Sequence, residues 1–328
     1  MAPTLHIFNP DTDYALGADT VSYTPTAKVT AMRRELAHVP FAYAEAGDVV
    51  AALDGNAREL ALMAPPGVMI ADIRYVASCM CPGMRIRPWG WNRALRHTLL
   101  SVGVDESLLP SEESISALRA LSHRRNTIAF LNEMEGMVEM PDGFELPQEL
   151  HTAEEAVAYT ESHPGCWLKA PWSSSGRGVF PTAGLTEEQI VQWARGIIRR
   201  QGSVMGEKNV ERALDIATEW EIGWDQVSFI GFSCFHTTGR GRYAGNIELP
   251  QEELIKLIGS ETYYPLDRIV EAQRVALSRI APGRYAGPCG IDMAVTTAGQ
   301  IHPCFEINFR MTMGMATCMK TDRKRLKT

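Results

Sequence analysis

The chain has 328 residues, 45% of them hydrophobic, and its 32 Lys and Arg against 39 Asp and Glu leave a formal net charge of −7. That length holds two or three subdomains with packed cores, and the acidic balance argues against nucleic acid as the main partner, because neutralising phosphates takes a basic face. No apolar run is long enough to span a bilayer, which argues against a membrane protein. The amino terminus enters a strand-like segment without the charged region and long apolar core of a signal peptide, so a cytoplasmic location is expected. Seven cysteines, with Cys79 and Cys81 as C-x-C and no second pair at zinc-ligand spacing, read as reduced thiols. The basic run KTDRKRLK at 320–327 fits a solvated tail at least as well as a binding patch.

Residues 5–8 form a candidate strand, and Pro25 is placed as the first residue of a helix reaching Val39. Residues 68–71 are a second short apolar strand. Trp91 opens a helix with apolar residues at 91, 95, 99 and 102, a helical period. Such alternation indicates an open sheet with helices on its faces. From Ser111 the pattern turns helical. TAEE at 152–155 is a capping box for a helix ending near His163 and Pro164. TEEQ at 186–189 is a second, whose helix puts Ile190, Trp193 and Ile197 on one face and ends at Gly202. Strands are expected at 203–207, 217–224 and 227–235, and a helix at 266–280. Two further strands, 290–295 and 301–308, are joined by the hairpin signal TTAGQ. The fold class is α/β, with α+β character in the C-terminal half.

Two stretches carry chemistry. In CWLKAPWSSSGRGVF, at 166–180, Lys169 ends a short strand and a small, polar loop follows Pro171. Backbone N–H groups of such a loop can turn toward an anion, and the lysine can add a point charge to the same anion. An ordinary surface loop has the same composition. In the late hairpin, Glu306 and Asn308 share one strand face. A hairpin folded around Ala298 and Gly299 brings Asp292 across from Glu306 or within a residue or two of it. Two carboxylates and an amide oxygen suit Mg²⁺ or Mn²⁺, which keep positions for phosphate oxygens; a solvated polar strand face is the plain alternative. Arg310 extends this face. No Walker loop and no protein-kinase triplets are present.

These pieces, in this order and spacing, resemble the ATP-grasp superfamily over roughly residues 115–318. The matching stretches are Lys169 with its Ser/Gly loop, MGEKNV at 205–210, and GID at 290–292 with FEINFR at 305–310. The resemblance implies three units. They are an N-terminal open-sheet, pre-ATP-grasp-like domain at 1–112, a subdomain with the phosphate lysine and loop at 113–204, and a subdomain with the adenine hinge and metal hairpin at 205–328. It implies that Lys169 contacts the α- and β-phosphates of ATP, and that Ser173, Ser174, Ser175, Gly176, Arg177 and Gly178 form the loop closing over the triphosphate. Glu207, Lys208 and Val210 take the adenine hinge. Asp215 takes the ribose, with Glu211 as rival. Asp292, Glu306 and Asn308 take Mg²⁺, and Arg310 stabilises the γ-phosphate or an acyl phosphate. Two departures stand out. The further lysine usual before the first subdomain is replaced by Arg124 or Arg125, and Gly290 stands where many small-amino-acid ligases carry arginine.

The implied activity is ATP-dependent activation of a carboxylate as an acyl phosphate and its coupling to an amine. The alternatives are a phosphotransferase that stops at phosphorylation and a catalytically silent nucleotide-binding regulator. Expected partners are small-molecule or peptide carboxylates and amines, and a homodimer is compatible with the sequence. FHTTGRGRYAGN at 235–246 reads as a β-turn with solvated arginines or as a substrate loop. In the second reading Arg240 or Arg242 holds a carboxylate, with Asn246 nearby. Asn9, Asp11 and Asp13 follow the first strand and read as an amine site or as an Asx-turn and helix cap. Trp89 and Trp91 read as core packing.

Overall fold

The computed structural model describes residues 2–174, 176, 178–238 and 243–325, with backbone only for 322–325. Arg240, Arg242, Ser175 and Arg177 therefore lie outside the described residues. The chain opens with β1 (Thr4–Ile7), α1 (Thr12–Ala18), α2 (Ala27–Glu35), β2 (Val49–Ala52), α3 (Ala57–Met63), β3 (Met69–Asp72), β4 (Arg85–Pro88) and α4 (Arg93–Ser101). Its strands form one parallel sheet in the order β3-β2-β1-β4. Parallel neighbours need crossovers, which the intervening helices and turns supply.

Pro25 lies outside α2; Thr26 caps that helix, its hydroxyl accepting from the Val29 N–H. The helix stops at Glu35, and a separate 3₁₀ turn, Val39–Ala42, follows. Pro40 has no N–H to continue an α-helical ladder. Trp91 likewise precedes α4, which Asn92 caps by accepting from Leu95 N at 2.9 Å. β2 and β4 escape the periodicity reading. β2 is four buried residues without alternation, and β4, RIRP, is an edge strand, where proline and charge are tolerated.

After α5 (Glu112–Leu121) and α6 (Asn126–Glu133) come β5 (Gln148–Leu150), α7 (Ala153–Ser162), β6 (Trp167–Lys169), β7 (Val179–Pro181), α8 (Glu187–Gln201) and β8 (Val204–Glu207). These four strands form an antiparallel sheet, β5-β8-β6-β7. Helices α7 and α8 cover it over a core of Ala156, Leu168, Ile190, Ala194 and Val204. The third sheet contains β9 (Arg212–Ile222), β10 (Val227–Thr237), β11 (Tyr243–Asn246), β12 (Gly287–Thr296) and β13 (Ile301–Asn308), ordered β11-β10-β9-β12-β13. Interspersed are α9 (Gln251–Glu261), α10 (Leu266–Ile280) and, last, α11 (Met313–Arg325).

Packing moves two of the expected boundaries. Leu118, Leu121, Phe130 and Leu131 of α5 and α6 join the core of the third sheet around Trp220 and Leu277. β8, expected just across a boundary at 204/205, belongs to the second sheet. The reason is apolar complementarity: the buried face of α6 matches α10 and β13, not the four-stranded sheet. All seven cysteines are free, and among the described residues no helix is long and apolar enough to cross a membrane.

The two capping boxes differ. Thr186 Oγ1 accepts from Gln189 N, and Gln189 Oε1 accepts from Thr186 N at 2.9 Å, a complete box. Thr152 Oγ1 accepts from Glu155 N at 3.0 Å, but Glu155 accepts from His151 N instead of closing the box. Thr186→Ala is expected to destabilise the second sheet's unit by about 1 kcal/mol. A thermal melt checks this, and an unchanged melt would show that the cap contributes nothing.

Candidate active site

One cavity of about 1170 Å³ is lined by strands of the second and third sheets and by N-terminal residues just past β1 and β4. β6 and β8 supply one wall and the β12–β13 hairpin another, while Phe8, Tyr14 and α2 close the N-terminal end. The hairpin register is Asp292 opposite Glu306 and Gly290 opposite Asn308, with a bulge just after Asp292. This puts two carboxylates and an amide on one cavity wall, as strand alternation requires.

Burial, reinforced by the charges of Glu306 and Glu219, pushes the Asp292 carboxyl up to about 7. The wall's donors are hard oxygens, which fit a divalent cation. Among the described residues no group of three or more His, Cys, Asp or Glu could hold a metal ion by itself. The fit is therefore to an ion that completes its shell with ligand oxygens.

Three cations face this wall. Lys169, at the end of β6, pairs with Glu207 at the end of β8, both buried. Arg124, in the turn between α5 and α6, is buried. It donates to Ser173 Oγ at 2.7 Å and to Glu306 Oε1 at 2.6 Å, and also reaches the Ala170 carbonyl. Arg125, its sequence rival, is 51% exposed and points to Glu149, so the structure brings Arg124 into the site. Arg310 donates to Asn308 Oδ1 at 2.6 Å and to Asp13 Oδ2 at 2.8 Å. Burial pushes the Asp13 carboxyl up against the pull of Arg310.

In the Ser/Gly loop, Ser173 and Ser174 are buried. The Ser174 carbonyl accepts from Tyr14 Oη at 3.3 Å, tying the loop to the N-terminal domain. Gly176 has φ +69°, and a Cβ on Gly178 would overlap Ser173, so two of the loop's glycines are required by geometry.

Val210 and Asp215 line the cavity; Asp215 accepts from Thr237 Oγ1 at 2.6 Å and Arg212 Nη1 at 2.8 Å. Lys208 also borders it, but its ammonium donates to the Gly143 carbonyl at 2.9 Å and to Glu145 at 2.8 Å. Asn246 lines the cavity, accepting from Tyr243 Oη at 2.7 Å and donating to Thr317 Oγ1 at 3.1 Å. Asn9 is not brought to the cavity wall; its amide donates to the Gly90 carbonyl at 2.7 Å and fixes two loops together. Trp89 packs edge-on against Phe8 in the core, as expected, but also borders the cavity.

Sequence reasoning misses Glu219. It is 1% exposed yet lines the cavity. Period-two alternation could have found it, because Asp215, Ala217 and Glu219 share one face of β9 and all three reach the cavity.

No family model matches the sequence, and no curated protein matches it. Solved structures do resemble this one. Biotin carboxylase from Campylobacter jejuni, in a β,γ-ATP complex, gives a TM-score of 0.57 at 14% identity, with 98% of this chain and 71% of that chain covered. The biotin carboxylase domain of Hydrogenobacter thermophilus 2-oxoglutarate carboxylase gives 0.56 at 16% identity, covering 98% and 69%. Phosphoribosylamine–glycine ligase from Thermotoga maritima gives 0.53 at 14% identity, covering 96% and 70%. The chain has the ATP-grasp fold.

Burial pushes the Glu219 carboxyl from 4.5 up to about 7, against the hydroxyls of Thr312 and Ser233 and the charge of Arg310. A carboxyl whose pKa rises on folding holds its proton more tightly in the folded state. Its stabilisation is complete below 4.5 and is lost as pH rises toward about 7. Glu219→Gln is therefore expected to gain in melting temperature relative to wild type across that window, without divalent cations. A difference constant with pH would remove the desolvated-carboxylate assignment.

Proposed function

We propose that this ATP-grasp chain is an ATP-dependent carboxylate–amine ligase. The observation that supports it best is that Lys169, Arg310 and the Asp292–Glu306–Asn308 wall line one cavity, with the buried Arg124 bonded to Glu306 of that wall. The similar structures from C. jejuni and H. thermophilus carry β,γ-ATP and MgADP, and that from T. maritima is named a ligase. In this reading Asp292, Glu306 and Asn308 would hold Mg²⁺, or Mn²⁺, which would supply positive charge to offset that of the phosphates. Lys169 and the backbone of Ser173, Ser174, Gly176 and Gly178 hold the phosphates. Glu207 and Val210 border the base, and Asp215 takes the ribose. The H. thermophilus structure is a domain dimer, and a homodimer is our proposal for this chain too.

The chain's own contribution is positive charge and water exclusion. Lys169 is paired with Glu207, Arg124 with Glu306 and Arg310 with Asp13. Phosphate oxygens compete for these cations, so binding exchanges protein carboxylates for substrate oxygens. Preorganised donors then face the charge that develops as a phosphoryl group moves to the carboxylate. The acceptor ammonium first gives a proton to solvent, and the neutral amine attacks the acyl carbon. The C–N bond forms, the bond from the acyl carbon to the phosphate oxygen breaks with its electron pair leaving on phosphate, and the nitrogen's second lost proton stays on phosphate.

The test is ADP release across panels of carboxylates and amines, with mass spectrometry of the products. Release that depends on both partners and yields an amide is expected; release without any amine favours the phosphotransferase alternative. Lys169→Ala is expected to lose about a hundredfold to a thousandfold in kcat/KM, and Lys169→Arg to recover only part of it. A lysine serving only as a surface ion pair would leave turnover untouched. Glu306→Gln is expected to abolish turnover while retaining a cooperative melt, and wild-type activity in it would remove the metal assignment.

A further inference from the structure

Glu219 sits mid-strand in β9, 1% exposed, on a wall of the cavity. Its Oε2 accepts from Thr312 Oγ1 at 2.7 Å and its Oε1 from Ser233 Oγ at 2.9 Å. A carboxylate can accept about four hydrogen bonds. Among the described residues, these two neutral hydroxyls are its hydrogen-bonding partners, and no Lys, Arg or His bonds to it. The charge of Arg310 reaches it, but Arg310 bonds to Asp13 and Asn308 instead, and a carboxylate removed from water without a bonded cation is costly unless a ligand supplies one.

The fold keeps this space open. Gly290 lies opposite Glu219 in the β9–β12 register. A Cβ there would stand 3.0 Å from Glu219 Oε2, and one on Gly314 would collide with Oε1 and with Ser233. Two positions without side chains therefore make room for the carboxylate. Beyond Gly314 the wall changes character. Met313, Trp89, Phe8, Leu36 and Met32 line the same cavity, and all but Met32 belong to one apolar cluster between α11 and the N-terminal domain. Methionine and aromatic side chains adapt to an apolar body without demanding hydrogen bonds.

We propose that Glu219 anchors the cationic nitrogen of the acceptor amine, and that this methionine and aromatic wall seats an apolar body attached to it. The substrate class is a primary ammonium on a hydrocarbon or aromatic frame. The assignment of this cation as the acceptor rests on the ligase reading above, whereas the cation site itself is read by binding alone.

The probes are hexylammonium, hexan-1-ol and methylammonium, titrated calorimetrically into the full chain without turnover. Hexylammonium is expected to bind about tenfold or more tighter than the alcohol, because a charge-assisted hydrogen bond replaces a neutral one. It is expected to bind more tightly than methylammonium as well, because its chain buries apolar area. Glu219→Gln keeps the shape and removes the charge. It is expected to bring amine and alcohol level while leaving the affinity for a non-hydrolysable ATP analogue unchanged, the second measurement showing that the fold is intact. Unchanged hexylammonium affinity in Glu219→Gln overturns the proposal, as does equal binding of amine and alcohol to wild type. Loss of Mg²⁺ binding in that variant, with the amine unaffected, assigns the carboxylate to metal and also overturns it. ADP release needing no amine, alongside Glu219-dependent hexylammonium binding, removes the ligase reading and leaves the cation site standing.

Discussion

Two carboxylates face each other across one hairpin on the wall of a cavity, and much of the architecture answers their repulsion. The β12–β13 register sets Asp292 against Glu306, and partial removal from water magnifies the cost of like charges at such range. Arg124 arrives from the turn between two helices to meet Glu306, and Arg310 leaves the end of the hairpin to reach Asn308 and Asp13. Each arginine comes from, or ties in, a different part of the chain. The N-terminal domain is thus held to the third sheet by charge at the cavity as well as by the apolar contacts of Phe8, Trp89, Met311 and Met315.

Each of the site's three cations is paired with a carboxylate, and this decides how the site can respond. Lys169–Glu207 is a pair of buried groups, and Arg310, half-buried, pairs with the buried Asp13. A pair of that kind is weak as a source of stability, because desolvation offsets the attraction, yet breaking it by removing one partner leaves a costly lone charge. An incoming polyanion with a divalent cation supplies a new partner for each side at once. Either alone would leave one half uncompensated.

What was legible in the sequence follows from which signals are local. The hairpin was readable because strand alternation and the Ala298–Gly299 turn are short-range, and the register places Asp292 opposite Glu306. Helix α10 was readable for the same reason, its apolar period falling on Leu266–Ile280. β2 was not, because a four-residue strand buried on both faces has no alternation to detect. β4 was hidden by charge and proline at a sheet edge. The choice of Arg124 over Arg125 depends on a helix turn meeting a hairpin from the other end of the chain, and no local pattern encodes that contact. Glu219 was concealed differently: the expected strand began at 217 and left Asp215 outside it, so the face that Asp215, Ala217 and Glu219 share appears only once β9 is seen to start at Arg212.

The second sheet has a simple mechanical property. It is joined to the remainder of the chain by two backbone tethers, residues 139–147 on entry and 208–211 on exit. Lys208 of the second tether holds Gly143 and Glu145 of the first. Because β6 and β8 are paired strands of that unit, the backbones of Lys169 and Glu207 belong to one frame, and any displacement of the unit about its tethers would leave their spacing unchanged.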